Sequence, residues 1–313
     1  MPSGQRRLTF DLTLDAARAV VAALDPSLRP IRLSRLHGGS TEVYRIALER
    51  AEPLVLKLYG EEPPWLPAKE ALVAGWFAEE LDFPTPRWLA LDESRARLPL
   101  RYALTSHLPG TMVETLKSQP GAAALYKQMG ALLRRIHAIP MPAYGYVLAE
   151  GVANPRPTNA DYMNLAFDQA FAMFRAAGGE EALARRLEAA TADRAILAHS
   201  AGPVLCHDDF NPKNLLGACD GAASPRLTGL LDFGNARAAD PLFDLAKTLM
   251  MADHHDPAIR APLLEGYGRL DHPDPAGALR LYTLYHRMIM WSYLNRFGER
   301  PDGLLADLRA MAA

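Results

Sequence analysis

The chain has 313 residues, 49% of them apolar and 22% charged, with a net charge of −2 at neutral pH. That supports one large or two modest packed domains, and the near-neutral balance supplies neither a basic stripe for nucleic acid nor a polybasic run for a membrane surface. Two cysteines, Cys206 and Cys219, lack metal-ligand spacing and give no disulfide framework, which fits a reducing compartment.

The first ten residues are polar, without the apolar stretch of a signal peptide. No apolar run reaches membrane-spanning length, so a cytoplasmic protein is expected. Thr13-Leu14-Asp15 then opens a short helix over 16–24, which Pro26 and Pro30 end. Residues 31–36 alternate apolar and polar, as a half-exposed strand does. His37-Gly38-Gly39-Ser40-Thr41 makes a turn, 43–48 resumes the alternation, and Leu54–Tyr59 is a third strand carrying Lys57. Gly38 and Gly39 let backbone N–H groups approach a phosphate, and Ser40 adds a hydroxyl donor. Taken alone, the same turn reads as an ordinary hairpin, and Lys57 as a solvated strand residue.

Pro67 opens a helix running to about residue 81, with Leu72, Val73, Trp76 and Phe77 on its buried side and Glu70 in its first turn, where a carboxylate suits the helix dipole. Residues 83–91 lead into a strand. Residues 100–108 form another, broken by Pro109-Gly110. A long helix is expected over 121–139, a loop rich in Pro and Gly over 140–157, and helices over 162–176 and 180–199.

The chemistry is densest from Cys206 to Asp240. His207, Asp209 and Asn214 are spaced H-x-D-x-x-x-x-N, and Asp232 leaves the apolar run 227–231 and precedes Phe233-Gly234. Phosphoryl transfer needs an acceptor hydroxyl held in line and Mg²⁺ on the phosphate oxygens. Asp209 has the chemistry to accept the hydroxyl proton, and Asn214 and Asp232 offer oxygens to a hard cation. Two short strands, 214–216 and 227–231, joined by a turn, would bring these residues together. His207 reads as a packed structural histidine, Cys206 as a small buried residue and Asp208 as a local hydrogen-bonding group. A helix follows over 241–252, and closing helices over 276–297.

His207-x-Asp209-x₄-Asn214, Asp232-Phe233-Gly234 and Asp240-Pro241-Leu242-Phe243-Asp244-Leu245-Ala246 together resemble the protein-kinase-like superfamily, most closely its aminoglycoside phosphotransferase and choline kinase branch. One departure is Asp208, where that family usually has Gly. The resemblance implies an α+β, two-lobed kinase-like fold, with a nucleotide-binding lobe over 1–108 and a catalytic and acceptor-binding lobe over 109–313. It implies that Gly38, Gly39 and Ser40 cover the phosphates of ATP or GTP, that Lys57 holds them and that Glu70 orients Lys57. Ser106 and Leu108 would meet adenine through their backbone. Asp209 would be the catalytic residue, Asn214 and Asp232 would hold Mg²⁺, and Asp244 would brace the catalytic loop. Lys57, Asp209, Asn214 and Asp232 would then converge on one cleft.

The expected activity is transfer of the γ-phosphoryl group to a hydroxyl of a small molecule. An aminoglycoside-like antibiotic is favoured as acceptor, and a choline-, homoserine- or sugar-type metabolite is the alternative. A protein kinase is disfavoured because no activation segment ending in A-P-E fits between Asp232 and Asp240. A nucleotide-binding module without turnover is disfavoured by the full set Lys57, Glu70, Asp209, Asn214 and Asp232.

Overall fold

The computed structural model describes residues 10–36, 41–60, 62–219, 225–299 and 301–312. Helix α1 (Leu14–Leu24) starts where the Thr13 hydroxyl accepts the Ala16 amide, a side-chain cap for an otherwise unpaired donor. Strands β1 (Pro30–Leu36), β2 (Glu42–Leu48) and β3 (Leu54–Tyr59) follow, then α2 (Leu66–Glu80), β4 (Trp88–Asp92), β5 (Arg101–Ser106) and the two-residue β6 (Thr111–Met112). Next come α3 (Ala122–Ile136), β7 (Tyr144–Leu148), β8 (Gly151–Arg156), α4 (Asn159–Ala176) and α5 (Glu181–Ala190). Strands β9 (Val204–Cys206), β10 (Leu215–Ala218), β11 (Arg226–Leu230) and β12 (Arg237–Ala239) lead to α6 (Pro241–His255), α7 (Arg260–Tyr267), α8 (Pro275–Arg296) and α9 (Asp302–Met311).

These elements form two compact units. One holds Gln5–Ala122 and takes back Pro212–Gly234; the other is built from Ala123–Asn211 and Asn235–Ala313. We call them the sheet unit and the helical unit.

The sheet unit is built on an antiparallel sheet in the order β1-β2-β3-β5-β4. Alternation places Ile46 of β2, Leu56 and Leu58 of β3 and Leu104 of β5 in one core with Ala17, Val20 and Val21 of α1. Each of the larger side chains contributes about 2 kcal/mol by leaving water. Lys57 lies in the centre of this sheet, opposite Val43 of β2 and Ala103 of β5. A second sheet, β11-β10-β6, pairs Leu215 with Leu230, and beyond that pair the Leu231 amide donates to the Asn214 carbonyl at 2.9 Å.

The helical unit holds a four-stranded sheet in the order β8-β7-β12-β9, with α4 against β7 and β8 and α6 against β9. Helices α3 and α7 approach closely at two glycines. A Cβ on Gly130 would fall 1.9 Å from the Leu263 carbonyl, and one on Gly266 would fall 1.8 Å from the Lys127 carbonyl. Phe243 of α6 packs against Tyr282 and Tyr285 of α8.

Two expectations are corrected. Residues 140–157 are not a loop but contain the hairpin β7–β8. Its Gly145 marks a close approach, since a Cβ there would sit 2.7 Å from the Ala153 carbonyl. Residues 180–199 are not one helix. Helix α5 ends at Thr191, whose hydroxyl turns back onto the Leu187 carbonyl, and a separate single turn begins after Asp193 accepts the Ala195 amide. Among the described residues no helix is long and apolar enough to cross a membrane.

Candidate active site

Lys57 and Tyr59 are two apart on β3 and therefore share a face. Lys57 Nζ lies 2.7 and 2.8 Å from the two Glu70 carboxylate oxygens, and the Tyr59 hydroxyl donates to Glu70 Oε2 at 2.7 Å. Glu70 reaches them from the first turns of α2 and is almost wholly buried. Burial opposes a charge on Lys57, but the Glu70 carboxylate, with Asp232 next, outweighs it and holds the ammonium protonated more firmly than a free lysine. Burial, then the Glu70 charge, pushes the Tyr59 phenol far up, so it stays a neutral donor.

Asp232 follows β11 with φ +63, in a left-handed conformation that Asp tolerates better than most residues. Gly234 comes two residues later. A Cβ there would lie 2.9 Å from Glu70 Oε1 and 3.6 Å from Asp232 Oδ1, so both carboxylates face this one glycine. The β10–β11 register sets Asn214 directly across from Leu231, beside Asp232. The sheet unit therefore gathers Lys57, Glu70, Asp232 and Asn214. Lys57 is itself a cation and Glu70 is bound to it, so the hard oxygen donors that suit Mg²⁺ held jointly with phosphate oxygens are the Asp232 carboxylate and the Asn214 amide oxygen.

Gly38, Gly39 and Ser40, expected to cover the phosphates, lie outside the described residues. Ser106 ends β5, where its amide donates to the Arg87 carbonyl and its hydroxyl accepts the Arg87 amide, each at 2.9 Å. Leu108 packs on the backbone of Gly229, where a Cβ would meet its Cδ1 at 2.8 Å.

Asp209 belongs to the helical unit, three residues before the chain crosses at Pro212. Asn211 donates through its side-chain amide to the Asp209 carbonyl at 2.9 Å and to Asp209 Oδ1 at 3.1 Å. The loop that carries Asp209 is gripped from behind by α6. Asp244 accepts the His207 amide at 2.7 Å and the Asp208 amide at 3.0 Å. His137 bridges Asp244 Oδ2, at 3.2 Å, to the Tyr267 hydroxyl, at 2.8 Å. His137, Cys206 and Asp244 cluster in the core, but His137 and Asp244 are engaged by these bonds and Cys206 Sγ faces the Asp240 carbonyl. Burial, reinforced by the neighbouring carboxylates, pushes the Cys206 thiol well up, so the group is structural.

Sequence reasoning missed Tyr59, Arg237 and Lys247. Tyr59 carried a signal, since it sits two residues from Lys57 on the same strand face. Arg237 and Lys247 pair with Asp208 across 29 and 39 residues of chain, and no local pattern points to either contact.

Residues 32–280 match the phosphotransferase enzyme family, APH. No curated protein sequence matches the chain. Among solved structures, macrolide 2′-phosphotransferase MphH from Brachybacterium faecium is 21% identical, covers 96% of this chain and 98% of its own, and superposes with a TM-score of 0.63. A thermostable mutant of aminoglycoside phosphotransferase APH(4)-Ia, in ternary complex with AMP-PNP and hygromycin B, is 16% identical with 95% and 98% coverage and a TM-score of 0.63. The GDP and kanamycin complex of APH(2″)-IIia is 14% identical with 96% and 97% coverage and a TM-score of 0.64. The fold is thus the α+β, protein-kinase-like one expected from the motifs. With the family match spanning most of its length, the chain belongs to the phosphotransferase enzyme family, whose members are small-molecule hydroxyl kinases.

Proposed function

We propose that this phosphotransferase moves the γ-phosphoryl group of ATP or GTP to a hydroxyl of an aminoglycoside-like small molecule. The observation that carries the reading is the half-buried ammonium of Lys57, bound to both Glu70 oxygens and acted on by Asp232. A lysine that merely solvates a strand has no need of such a partner. Here Glu70 and Tyr59 fix its direction, so that its charge serves phosphate oxygens as a preorganised point charge.

The remaining roles follow from the chemistry of each group. Asp232 and the Asn214 amide oxygen hold Mg²⁺, which supplies neutralisation of phosphate charge when bound. Asp209, its carboxylate oriented by Asn211, accepts the acceptor hydroxyl proton and directs the oxygen. The nucleotide is assigned to the sheet unit, with Gly38, Gly39 and Ser40 at the phosphates and the Ser106–Leu108 backbone near the base; the acceptor is assigned to the helical unit. Nucleotide use is supported by the AMP-PNP and GDP complexes of similar folds, and the acceptor class by the hygromycin B and kanamycin in them.

The test is nucleotide diphosphate release with Mg²⁺–ATP and Mg²⁺–GTP against aminoglycosides and metabolite alcohols, with Asp209→Asn as control. Turnover on aminoglycosides that Asp209→Asn abolishes is the expected result. Turnover confined to a choline-, homoserine- or sugar-type alcohol would keep the mechanism and replace the acceptor class. Nucleotide binding with no turnover on any acceptor would reduce the protein to a binding module.

A further inference from the structure

Asp208 stands one residue before Asp209 and has φ +52, in the left-handed region that favours glycine. Asp is tolerated there better than most residues, yet this one is buried, with 1% of its surface exposed. Its backbone amide, its backbone carbonyl and its carboxylate each meet a side chain from elsewhere in the helical unit, Oδ1 by an ion-pair contact and not by a hydrogen bond. Its amide donates to Asp244 of α6. Its carbonyl accepts from Lys247, one turn further along α6. Its carboxylate pairs with Arg237 of β12 through Oδ2 and with Lys247, 3.1 Å away, through Oδ1.

Arg237 is itself pinned. It donates to the Tyr162 hydroxyl at 3.1 Å and lies 5.1 Å over the Phe243 ring and 5.6 Å over the Tyr146 ring. Burial alone would drive the Asp208 carboxyl up, but Arg237 and then Lys247 outweigh it and bring it to about 2, so the pair stays ionised at working pH. A buried ion cluster is a poor source of net stability, because desolvation cancels much of the attraction. What it does supply is a single permitted geometry.

We propose that Asp208 is a positioning residue and that Arg237 and Lys247 form with it a clamp that fixes the left-handed turn and thereby the direction of Asp209. A glycine at this position would reach the turn freely and also leave it freely. Here the side chain takes over the task by tying the turn to β12 and α6 at once. Lys247 is the keystone, because one ammonium meets both the carbonyl and the carboxylate of residue 208. The consequence for catalysis rests on the role proposed for Asp209 above; the clamp itself does not.

Lys247→Met tests this with the least damage to the fold, since it keeps the alkyl stem and leaves the Asp208–Arg237 pair in place. Hydrogen exchange of the 207–211 segment is measured alongside kcat and the KM for ATP. Lys247→Met should speed exchange in that segment roughly tenfold, beyond the change in segments far from residue 208. It should lower kcat by roughly 10- to 100-fold, as displacement of a reacting group does, and leave the KM for ATP within about twofold, because uniform nucleotide binding is untouched. Lys247→Arg, which retains a charge able to meet both oxygens, should recover most of both losses, and Asp208→Gly should reproduce the Lys247→Met exchange. Wild-type exchange and kcat in a folded Lys247→Met protein would overturn the clamp. If instead the wild type turns over no acceptor while Lys247→Met still speeds exchange, the clamp stands and the catalytic reading of Asp209 falls.

Discussion

Asp244 reaches from α6 to accept the backbone amide of His207 at 2.7 Å, and its second oxygen takes the next amide at 3.0 Å. One buried carboxylate thus satisfies two successive backbone donors that the left-handed turn at Asp208 leaves without a strand partner. This contact joins the first turn of α6 to the loop carrying Asp209. It gives the Asp240-Pro241-x-x-Asp244 spacing a physical meaning: Asp240 caps α6 by accepting the Leu242 amide, and Asp244 then falls one turn on, facing the loop.

Asp244→Asn should therefore be costly despite its near-identical shape. An amide side chain can accept only one of the two donors and would present an N–H to the other. Charge-assisted hydrogen bonds of this kind contribute about 1.5–3 kcal/mol each, so a loss of about 3 kcal/mol is expected. Urea unfolding of the variant beside the wild type reads this out. An unchanged unfolding midpoint would mean that the loop is held by something else.

Glu70→Gln keeps hydrogen bonds to Lys57 and Tyr59 within reach but removes the charge that outweighs burial at Lys57. The ammonium is then less firmly protonated and less firmly directed. Turnover is expected to fall roughly 100-fold, the scale for loss of a preorganised charge, with a raised KM for ATP. Steady-state kinetics over pH 6–9 check it. The deficit should grow toward high pH, because a lysine without its carboxylate partner loses its proton earlier, and a pH-independent deficit would contradict that cause.

Gly234→Ala tests the crowding between Asp232 and Glu70. The added carbon would meet Glu70 Oε1 at 2.9 Å and Leu66 Cδ1 at 3.1 Å. Glu70 has no freedom to yield, because Lys57 and Tyr59 hold both of its oxygens. Overpacking of this size costs about 1–3 kcal/mol. Denaturant unfolding should show that loss together with weaker nucleotide binding by isothermal titration. Full affinity in the variant would show that Glu70 is not held as tightly as these bonds require.

Acid should weaken the fold through His286. Its Nε2–H donates to the Phe243 carbonyl at 2.9 Å. Burial, with Lys247 and Arg237 nearby and against the pull of Asp208, brings it from 6.5 down to about 4. The unfolded chain then binds the proton first as pH falls, so stability is full above 6.5 and is lost between 6.5 and 4. The loss is on the order of 3 kcal/mol. Asp208 acts in a lower window: its carboxyl falls from 3.8 to about 2, so its contribution is complete above 3.8 and is lost only as pH falls further. Urea midpoints at pH 7, 6, 5 and 4.5 should decline in the wild type and decline much less in His286→Gln. Parallel curves would assign the acid sensitivity to another group.

The elements that form from their own residues were legible in the order of amino acids. Alternation marks β2 and β3, Thr13 marks the start of α1, and the Asp240-Pro241 cap marks α6, because strand faces and helix ends are decided within a few residues. The hairpin that sets Asn214 beside Asp232 was likewise legible, since two short strands and their turn are local. Strands β9 and β12, with three residues each, are too short to show a period, and the glycines and prolines around β7 and β8 mimic a loop until the partner strand is in place. Only the tertiary structure decided what surrounds Asp208. An aspartate read as a local hydrogen-bonding group became the centre of a buried charge cluster, because Arg237 and Lys247 arrive from elements that periodicity relates to nothing near residue 208. A charge can be buried only where opposite charges meet it, and which charges meet is settled when strands pair and helices pack.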